Sequence, residues 1–253
     1  MKFIKILFTI VITLIIVIIL TLGYFGLFPG VSKVFGSDKP RDLGTSYTQT
    51  DYDSAGLKNK IKIVVTDSAP DIKSSVKLEG AQQINNSWTA EEITARINMN
   101  AGNWEYIPIK DVQVRFNPDG TVEASGLLIV SRLRGLAEGT KVSPADIQAI
   151  SKIFDEYKIP RITIPVYMKG TLSVTDNNID IAVPKLEIGR LTIPVGTYEK
   201  AKVPFENFAK KQLTGGGYGS LYIKSLDFIG GKMNFNGTLP QTITTAKTIL
   251  GSK

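Results

Sequence analysis

The first pattern along the chain is an unbroken apolar run. Residues 6–28 read ILFTIVITLIIVIILTLGYFGLF, carry no charge, and have Ile, Leu, Val or Phe at 17 of 23 positions. At about 1.5 Å per residue a helix over this run spans about 34 Å, enough for a hydrocarbon core of about 30 Å. Its many β-branched residues do not argue for a strand, because in lipid only a helix satisfies its own backbone groups. The pattern predicts one transmembrane anchor. A cleaved signal peptide fits less well: its apolar region is shorter, and Gly26-Leu27-Phe28-Pro29-Gly30 is a poor small-residue cleavage site. Lys2 and Lys5 precede the run, and Lys33, Lys39 and Arg41 follow it, so charge alone does not set the direction. The short basic stub suggests a cytoplasmic N-terminus and an extracytoplasmic domain, on a single pass through the plasma membrane.

Beyond Pro29 the period shortens to that of soluble helices. Thr48 with Asp51, Thr89 with Glu92, and Ser143 with Asp146 each set a hydroxyl three residues before an acid. The hydroxyl caps free N–H groups and the acid suits the positive helix end. Helices are therefore predicted from 48 to about 60, from 89 through Ile93 and Ile97, and from 143 through Ile147, Ile150, Phe154 and Tyr157. A fourth is predicted at about 205–213, with Phe208 and Leu213, stopping at Gly215-Gly216-Gly217.

Between the helices the period falls to two. Val112, Val114 and Phe116 alternate with Gln113 and Arg115, and Asn117-Pro118-Asp119-Gly120 turns the chain into a partner strand from 121 to 130. A second hairpin is predicted from 167–174 through Asp176-Asn177-Asn178 to 179–183. A third runs from 221–229 through Gly230-Gly231 to 232–239. Short strands are predicted at 61–65 and 75–79. Apolar-Pro pairs recur at Ile107-Pro108, Ile159-Pro160, Ile164-Pro165, Val183-Pro184, Ile193-Pro194, Val203-Pro204 and Leu239-Pro240. Proline belongs at strand starts, bulges and edges, so these imply strands that bend. The fold class expected is α+β: an N-terminal transmembrane helix, then a long curved antiparallel sheet of hairpins packed around three to four helices. The expected organisation is stub and anchor at 1–28, a juxtamembrane linker at 29–46, one extracytoplasmic domain at 47–240, and a C-terminal tail at 241–253.

Composition then narrows the chemistry. The 253 residues contain no Cys and no His. That removes thiol nucleophiles, histidine bases, Ser-His-Asp triads, Cys/His zinc sites, disulfides and a lipoprotein anchor. The net charge of +7, less the two lysines before the anchor, leaves +5 on the rest. Ordinary solubility charge explains this most simply; it also suits anionic lipid or wall polymer, while the scattered lysines and arginines do not form a nucleic-acid interface.

The remaining motifs have simpler explanations than chemistry. The glycine-rich segment 214–220 follows a predicted helix and opens a strand, the reverse of a phosphate loop. Glu91 and Glu92 read as first-turn acids. Asp176-Asn177-Asn178-Ile179-Asp180 lacks the glycine and distal Glu of a calcium loop and reads as a turn. Asn85-Asn86-Ser87 and Asn236-Gly237-Thr238 match the glycosylation sequon but suit turns. Trp88 is expected to pack back on Ile93 ahead of the Thr89 cap. Trp104 and Tyr106 fit either a core or a ligand groove. No catalytic residue, metal site or cofactor is expected.

Three segments carry a resemblance: Trp88-Thr89-Ala90-Glu91-Glu92-Ile93, the hairpin from Val112 to Val122, and the closing hairpin from Leu226 to Pro240. With the anchor, they resemble the YpmS-like membrane-anchored bacterial proteins, some relatives of which are thought to have tubular lipid-binding (TULIP-like) folds. The resemblance covers about residues 75–240. It implies a bacterial extracytoplasmic protein with a long curved sheet around a helix and an apolar groove. The function expected first is therefore a non-enzymatic, membrane-tethered domain binding lipid or another amphiphile. Ile93, Ile97, Val112, Val114, Phe116, Leu172 and Phe235 are the candidates to line its groove, though each reads more simply as plain core. The alternatives are a scaffold module of the cell envelope, binding wall polymer or a membrane-protein partner, and a carboxylate-based hydrolase, which would need two acids converging in a cleft.

Overall fold

The computed structural model describes residues 2–140, 148, 162–196 and 221–250, with side chains of the first helix from Ile10 onward. The helices expected at 143–157 and 205–213, the glycine-rich segment 214–220, and the pairs Ile159-Pro160 and Val203-Pro204 lie outside the described residues. Five α-helices fall within them: α1 (Lys2–Tyr24), α2 (Val31–Val34), α3 (Gln49–Asn59), α4 (Ala90–Asn100) and α5 (Leu133–Gly139).

The apolar run folds as α1, 23 residues long. Its Ile10, Val11, Ile12, Leu14, Ile15, Ile16, Val17, Ile18, Leu20 and Leu22 are all exposed. Four consecutive positions, Ile15 to Ile18, cover every side of a helix, so α1 is apolar all round rather than amphipathic. Among the described residues no helix is long and apolar enough to cross a membrane.

Both hydroxyl-acid signals within the described residues work as capping boxes. Thr48 accepts from the Asp51 N–H while Asp51 accepts from the Thr48 N–H, and Thr89 and Glu92 repeat the exchange on α4. Glu92 also accepts from Lys58 Nζ at 2.6 Å and from Ser54, which ties α4 to α3. Burial pushes the Glu92 carboxyl up, but the bonds from Lys58, Ser54 and Thr89 outweigh it and hold it below its ordinary value.

The sheets are mostly antiparallel. The larger has eight strands: β3 (Gln82–Trp88), β4 (Ile109–Phe116), β5 (Val122–Ile129), β6 (Thr163–Thr175), β7 (Asn178–Ile188), β8 (Leu191–Ile193), β9 (Tyr222–Asp227) and β10 (Met233–Leu239). Six follow the order β3-β10-β9-β6-β5-β4, and β7 lies between β6 and β8. All three predicted hairpins are present as β4–β5, β6–β7 and β9–β10. Asp176 and Asn177 turn the second with positive φ of 49° and 60°, which Asn and Asp tolerate. The proline expectation holds at four of the five described pairs; Pro165 instead lies inside β6, in regular register with Leu127 of β5. Val183-Pro184 lies at a register shift opposite Gly170, where any side chain would meet the Ala182 carbonyl. Pro108 precedes β4, and Pro194 and Pro240 follow β8 and β10. The 13-residue β6 pairs along its first part with β5 and at its last two residues with β9, so the sheet divides there into two branches.

The second sheet departs from expectation. It has the order β1-β11-β2, with β1 (Lys62–Ala69), β2 (Val76–Glu79) and β11 (Thr242–Ile249). The segment expected as a C-terminal tail at 241–253 thus contains the central strand of a sheet, parallel to β1 and antiparallel to β2. Its Ala246 and Ile249 are buried with Ala69. No clean period of two marks this strand: the buried Ala246 and Ile249 stand three apart, Lys247 between them is exposed, and threonine falls on both faces.

Trp104 is a core residue, and the partly buried Tyr106 packs at the core's margin. Trp104 is buried, donates from Nε1 to Ser75 Oγ at 2.9 Å, and meets the Tyr106 ring edge-on at 6.0 Å. Gly135 and Gly139 of α5 lie against Tyr106 and Trp104 so closely that a Cβ at either would overlap the ring.

Candidate functional site

The segment expected as a linker at 29–46 is folded against the sheet. The Ser37 hydroxyl donates to the Gly23 carbonyl at the end of α1. Leu43, 5% exposed, donates its N–H to Gln113 Oε1 at 2.7 Å and accepts from Arg115 Nη1 at 3.3 Å. The Thr45 hydroxyl donates to the Val114 carbonyl at 2.8 Å.

Beneath this segment lies a polar sheet face. Residues directly opposite in antiparallel strands share a face. The register Arg115–Glu123, Gln113–Ser125–Tyr167 and Tyr167–Glu187 therefore puts all of these on one side. Val114, Ala124 and Met168, also in register, belong to the other. Glu123, Ser125, Tyr167 and Glu187 are all buried. Tyr167 donates to Glu123 Oε2 at 2.8 Å, Asn117 donates to Glu123 Oε1 at 3.0 Å, and Arg115 pairs with Oε1 at 2.7 Å. Burial pushes the Glu123 carboxyl up, yet the bonds from Arg115, Asn117 and Tyr167 and the Arg115 charge hold it at about 2. Burial, then the bond to Glu123, pushes the Tyr167 hydroxyl above its ordinary value.

A pH prediction follows with a definite sign. The folded carboxyl titrates below its ordinary 4.5, so its stabilisation is complete above that value and is lost as pH falls toward about 2. Glu123→Gln is expected to cost on the order of 2 kcal/mol at pH 7, discounted because Arg115 is half exposed, and almost nothing near pH 2. Denaturation of both proteins at a series of pH values checks this; parallel curves would contradict it.

At the edge of this face, next to the end of α1, is a cavity of about 380 Å³. The folded linker contributes Lys39 and Arg41, β6 contributes Tyr167, β7 contributes Glu187, and the following turn contributes Arg190. Arg41 pairs with Glu187 at 2.6 Å and stacks its guanidinium 3.9 Å from the centre of the Tyr167 ring. Lys185 reaches the other Glu187 oxygen at 3.2 Å. Arg190 donates its N–H to the Phe25 carbonyl at 3.0 Å and from Nη2 to the Phe35 carbonyl at 2.8 Å, and its guanidinium lies 4.9 Å from the Tyr24 ring centre. Gly189, at φ 61°, packs directly against the Phe25 carbonyl. Among the described residues Lys39 has no ion-pair partner.

The seven candidate lining residues lie together elsewhere. Val112, Val114 and Phe116 are buried with Phe228 in one cluster, against which Ile93, Ile97 and Leu172 pack. Phe235 is buried with Ala55, Ile84 and Trp88 in a second cluster. Ile93, Leu226 and Met233 touch both clusters, so the two adjoin. Ile93 packs against the cluster that holds Trp88. Phe116 and Phe228 lie 5.0 Å apart between ring centres, which is close core packing.

The residues around the cavity were not singled out from the sequence. Strand alternation marks Arg115, Glu123, Lys185 and Glu187 as facing away from the apolar core, and such residues ordinarily face water. The signal was their mixed sign on strands that pair, together with a basic segment at 39–41 to cover them. Of the acids considered for chemistry, Glu92 is engaged in its cap and Asp176 accepts from the Tyr222 hydroxyl at 2.6 Å, while Glu91 and Asp180 are exposed. Among the described residues no group of three or more acidic or metal-binding side chains is placed to hold a metal ion. In comparisons with protein-family models, curated proteins and solved structures, nothing matches the chain.

Proposed function

We propose that the chain is a membrane-tethered, extracytoplasmic, non-catalytic domain that binds lipid or another amphiphile. The observation that carries this reading is the junction between α1 and the domain. A helix with apolar side chains exposed on every side needs a non-aqueous surrounding. Its end is fastened to the folded linker through Gly23 and to the β7–β8 turn through Phe25 and Tyr24. An α1 seated in the plasma membrane would therefore hold the sheet at a fixed place against the lipid surface. The short stub with Lys2 and Lys5 supports a cytoplasmic N-terminus, and the likeness to YpmS-like proteins belongs to the same proposal.

The expected result is that the full chain stays in the membrane pellet through alkaline carbonate, and that protease added outside intact cells digests the domain. Release by carbonate would end the tethering reading. Native mass spectrometry of the detergent-extracted chain is expected to show retained lipid, and a bare protein mass under gentle conditions would end the lipid reading.

The close packing of Phe116 on Phe228 favours a second reading. In it the domain is an envelope scaffold with a filled core that meets wall polymer or a membrane protein on its outer surface. Recovery of a defined partner by crosslinking in cells, after lipid is stripped, would favour it.

A further inference from the structure

We infer that the cavity beside the end of α1 binds a phosphate-bearing anion, and that its source is the headgroup of an anionic phospholipid. This rests on the tethering reading above and names the ligand class.

The first support is charge. Lys39, Arg41 and Arg190 line the cavity with a single acid, Glu187, which Lys185 also reaches. Glu187 is shared between Arg41 and Lys185, which leaves Lys39 and Arg190 without a carboxylate partner among the described residues. Arg190 is held by a carbonyl and an aromatic face, which position a guanidinium without neutralising it. A fixed guanidinium is suited to two-point recognition of phosphate, and a free ammonium next to it adds a mobile point charge.

The second support is size and shape. A volume of about 380 Å³ falls at the small end of the range for small-molecule sites. The walls are preformed: Tyr167 is buried and held by Glu123, and Arg41 is stacked on its ring. Glu187 excludes a second negative charge from one side, so the site suits a headgroup with one phosphate rather than a polyanion.

The third support is place. Tyr24, Phe28, Val34 and Phe35 are exposed around the end of α1 and along α2. Aromatic side chains at the end of an apolar helix are at home in the interface between hydrocarbon and water. Arg190 touches two of these aromatic residues, the ring of Tyr24 and the carbonyl of Phe35. With α1 in a bilayer, the cavity lies at the depth of the headgroups, where phosphate is concentrated. A soluble phosphate would have no such reason to meet it.

The test uses the full chain in detergent micelles doped with either phosphatidylglycerol or phosphatidylcholine, with retained lipid counted by native mass spectrometry. The wild type is expected to retain phosphatidylglycerol preferentially. Lys39→Gln is expected to weaken that retention about fivefold, and Lys39→Gln with Arg190→Gln about thirtyfold. Glu187→Gln is expected to strengthen it, and Lys232→Gln, at the far β9–β10 turn, to leave it unchanged. Because Arg190 also fastens the junction, Lys39→Gln carries the test if the double variant melts early. Equal retention of the two lipids, or wild-type retention by Lys39→Gln, overturns the proposal. Free glycerol phosphate displacing the lipid at equal concentration keeps the phosphate site but overturns the lipid source. A chain that resists carbonate yet retains both lipids equally would lose the headgroup assignment alone, whereas release by carbonate would remove the tethering reading itself.

Discussion

Trp88→Ala is expected to lower the stability of the domain by about 3–5 kcal/mol, the range for removing a large buried aromatic side chain. Trp88 is 3% exposed at the end of β3. Its ring meets Phe235 of β10 edge-on at 6.3 Å, and its Nε1 donates to the Ala55 carbonyl of α3 at 3.3 Å. One side chain therefore joins two paired strands to the helix that covers them. Ala55 has no exposed surface beneath it, so α3 has no obvious way to collapse into the space left behind. Trp88→Phe is expected to cost less, because the ring contact survives and only the bond to Ala55 is lost. Denaturant melts of the full chain in detergent measure both. A loss under about 1 kcal/mol for the alanine variant would mean that α3 is held mainly by the Lys58–Glu92 pair.

Gly189→Val is expected to open the junction between α1 and the domain while leaving the domain folded. The residue has φ 61°, where a β-branched side chain is strained, and any Cβ there would overlap the Phe25 carbonyl. Neither atom can yield by a rotamer change, because the obstacle is backbone. The turn must move, and the Arg190 N–H then loses its bond to Phe25. Amide exchange at Arg190 is expected to quicken by about tenfold or more, as local opening replaces a protected bond. Exchange at Phe116 and Tyr167, in the sheet, should stay slow. Uniformly faster exchange would show instead that the turn supports the whole domain. The same variant is expected to lose selective phosphatidylglycerol retention, since Arg190 is no longer held in place.

The sequence was most legible where one local rule acted alone. Thr48 and Thr89 specify their helices through a bond three residues away, and Asn117-Pro118-Asp119-Gly120 specifies its hairpin through turn geometry. Such signals need no knowledge of the rest of the chain. The alternation of Val112, Val114 and Phe116 likewise identified one buried face. What alternation could not show was the fate of the opposite face. Gln113, Arg115, Glu123 and Glu187 look like solvent-facing residues until a segment 70 to 146 positions away folds over them. That segment, with its Pro, Gly, Ser and charges, has the composition of a linker. It is ordered by bonds to the sheet rather than by any period of its own. The candidate cavity was hidden for the same reason, since it is made where that segment, β6, β7 and the end of α1 converge. β11 escaped notice because threonine at Thr242, Thr244, Thr245 and Thr248 blurs the contrast between its two faces.

The position of β11 also sets an order of events as the protein is made. It lies between β1 and β2, which do not pair with each other, and Lys62 finds its partner in Thr242, 180 positions later. Closing so long a loop costs little more than closing one of half the length, but it must wait for the late segment to arrive. If α1 enters the membrane first and the rest is delivered N-terminus first, β1 and β2 emerge early with unpaired backbone edges. Until β11 reaches them, those edges are open to pairing with other chains. The basic residues Lys60, Lys62, Lys73 and Lys77 flank or lie within this region. Lys62 and Lys77 lie within the strands themselves, and a charged side chain on an open strand edge hinders pairing with another chain until the sheet is complete.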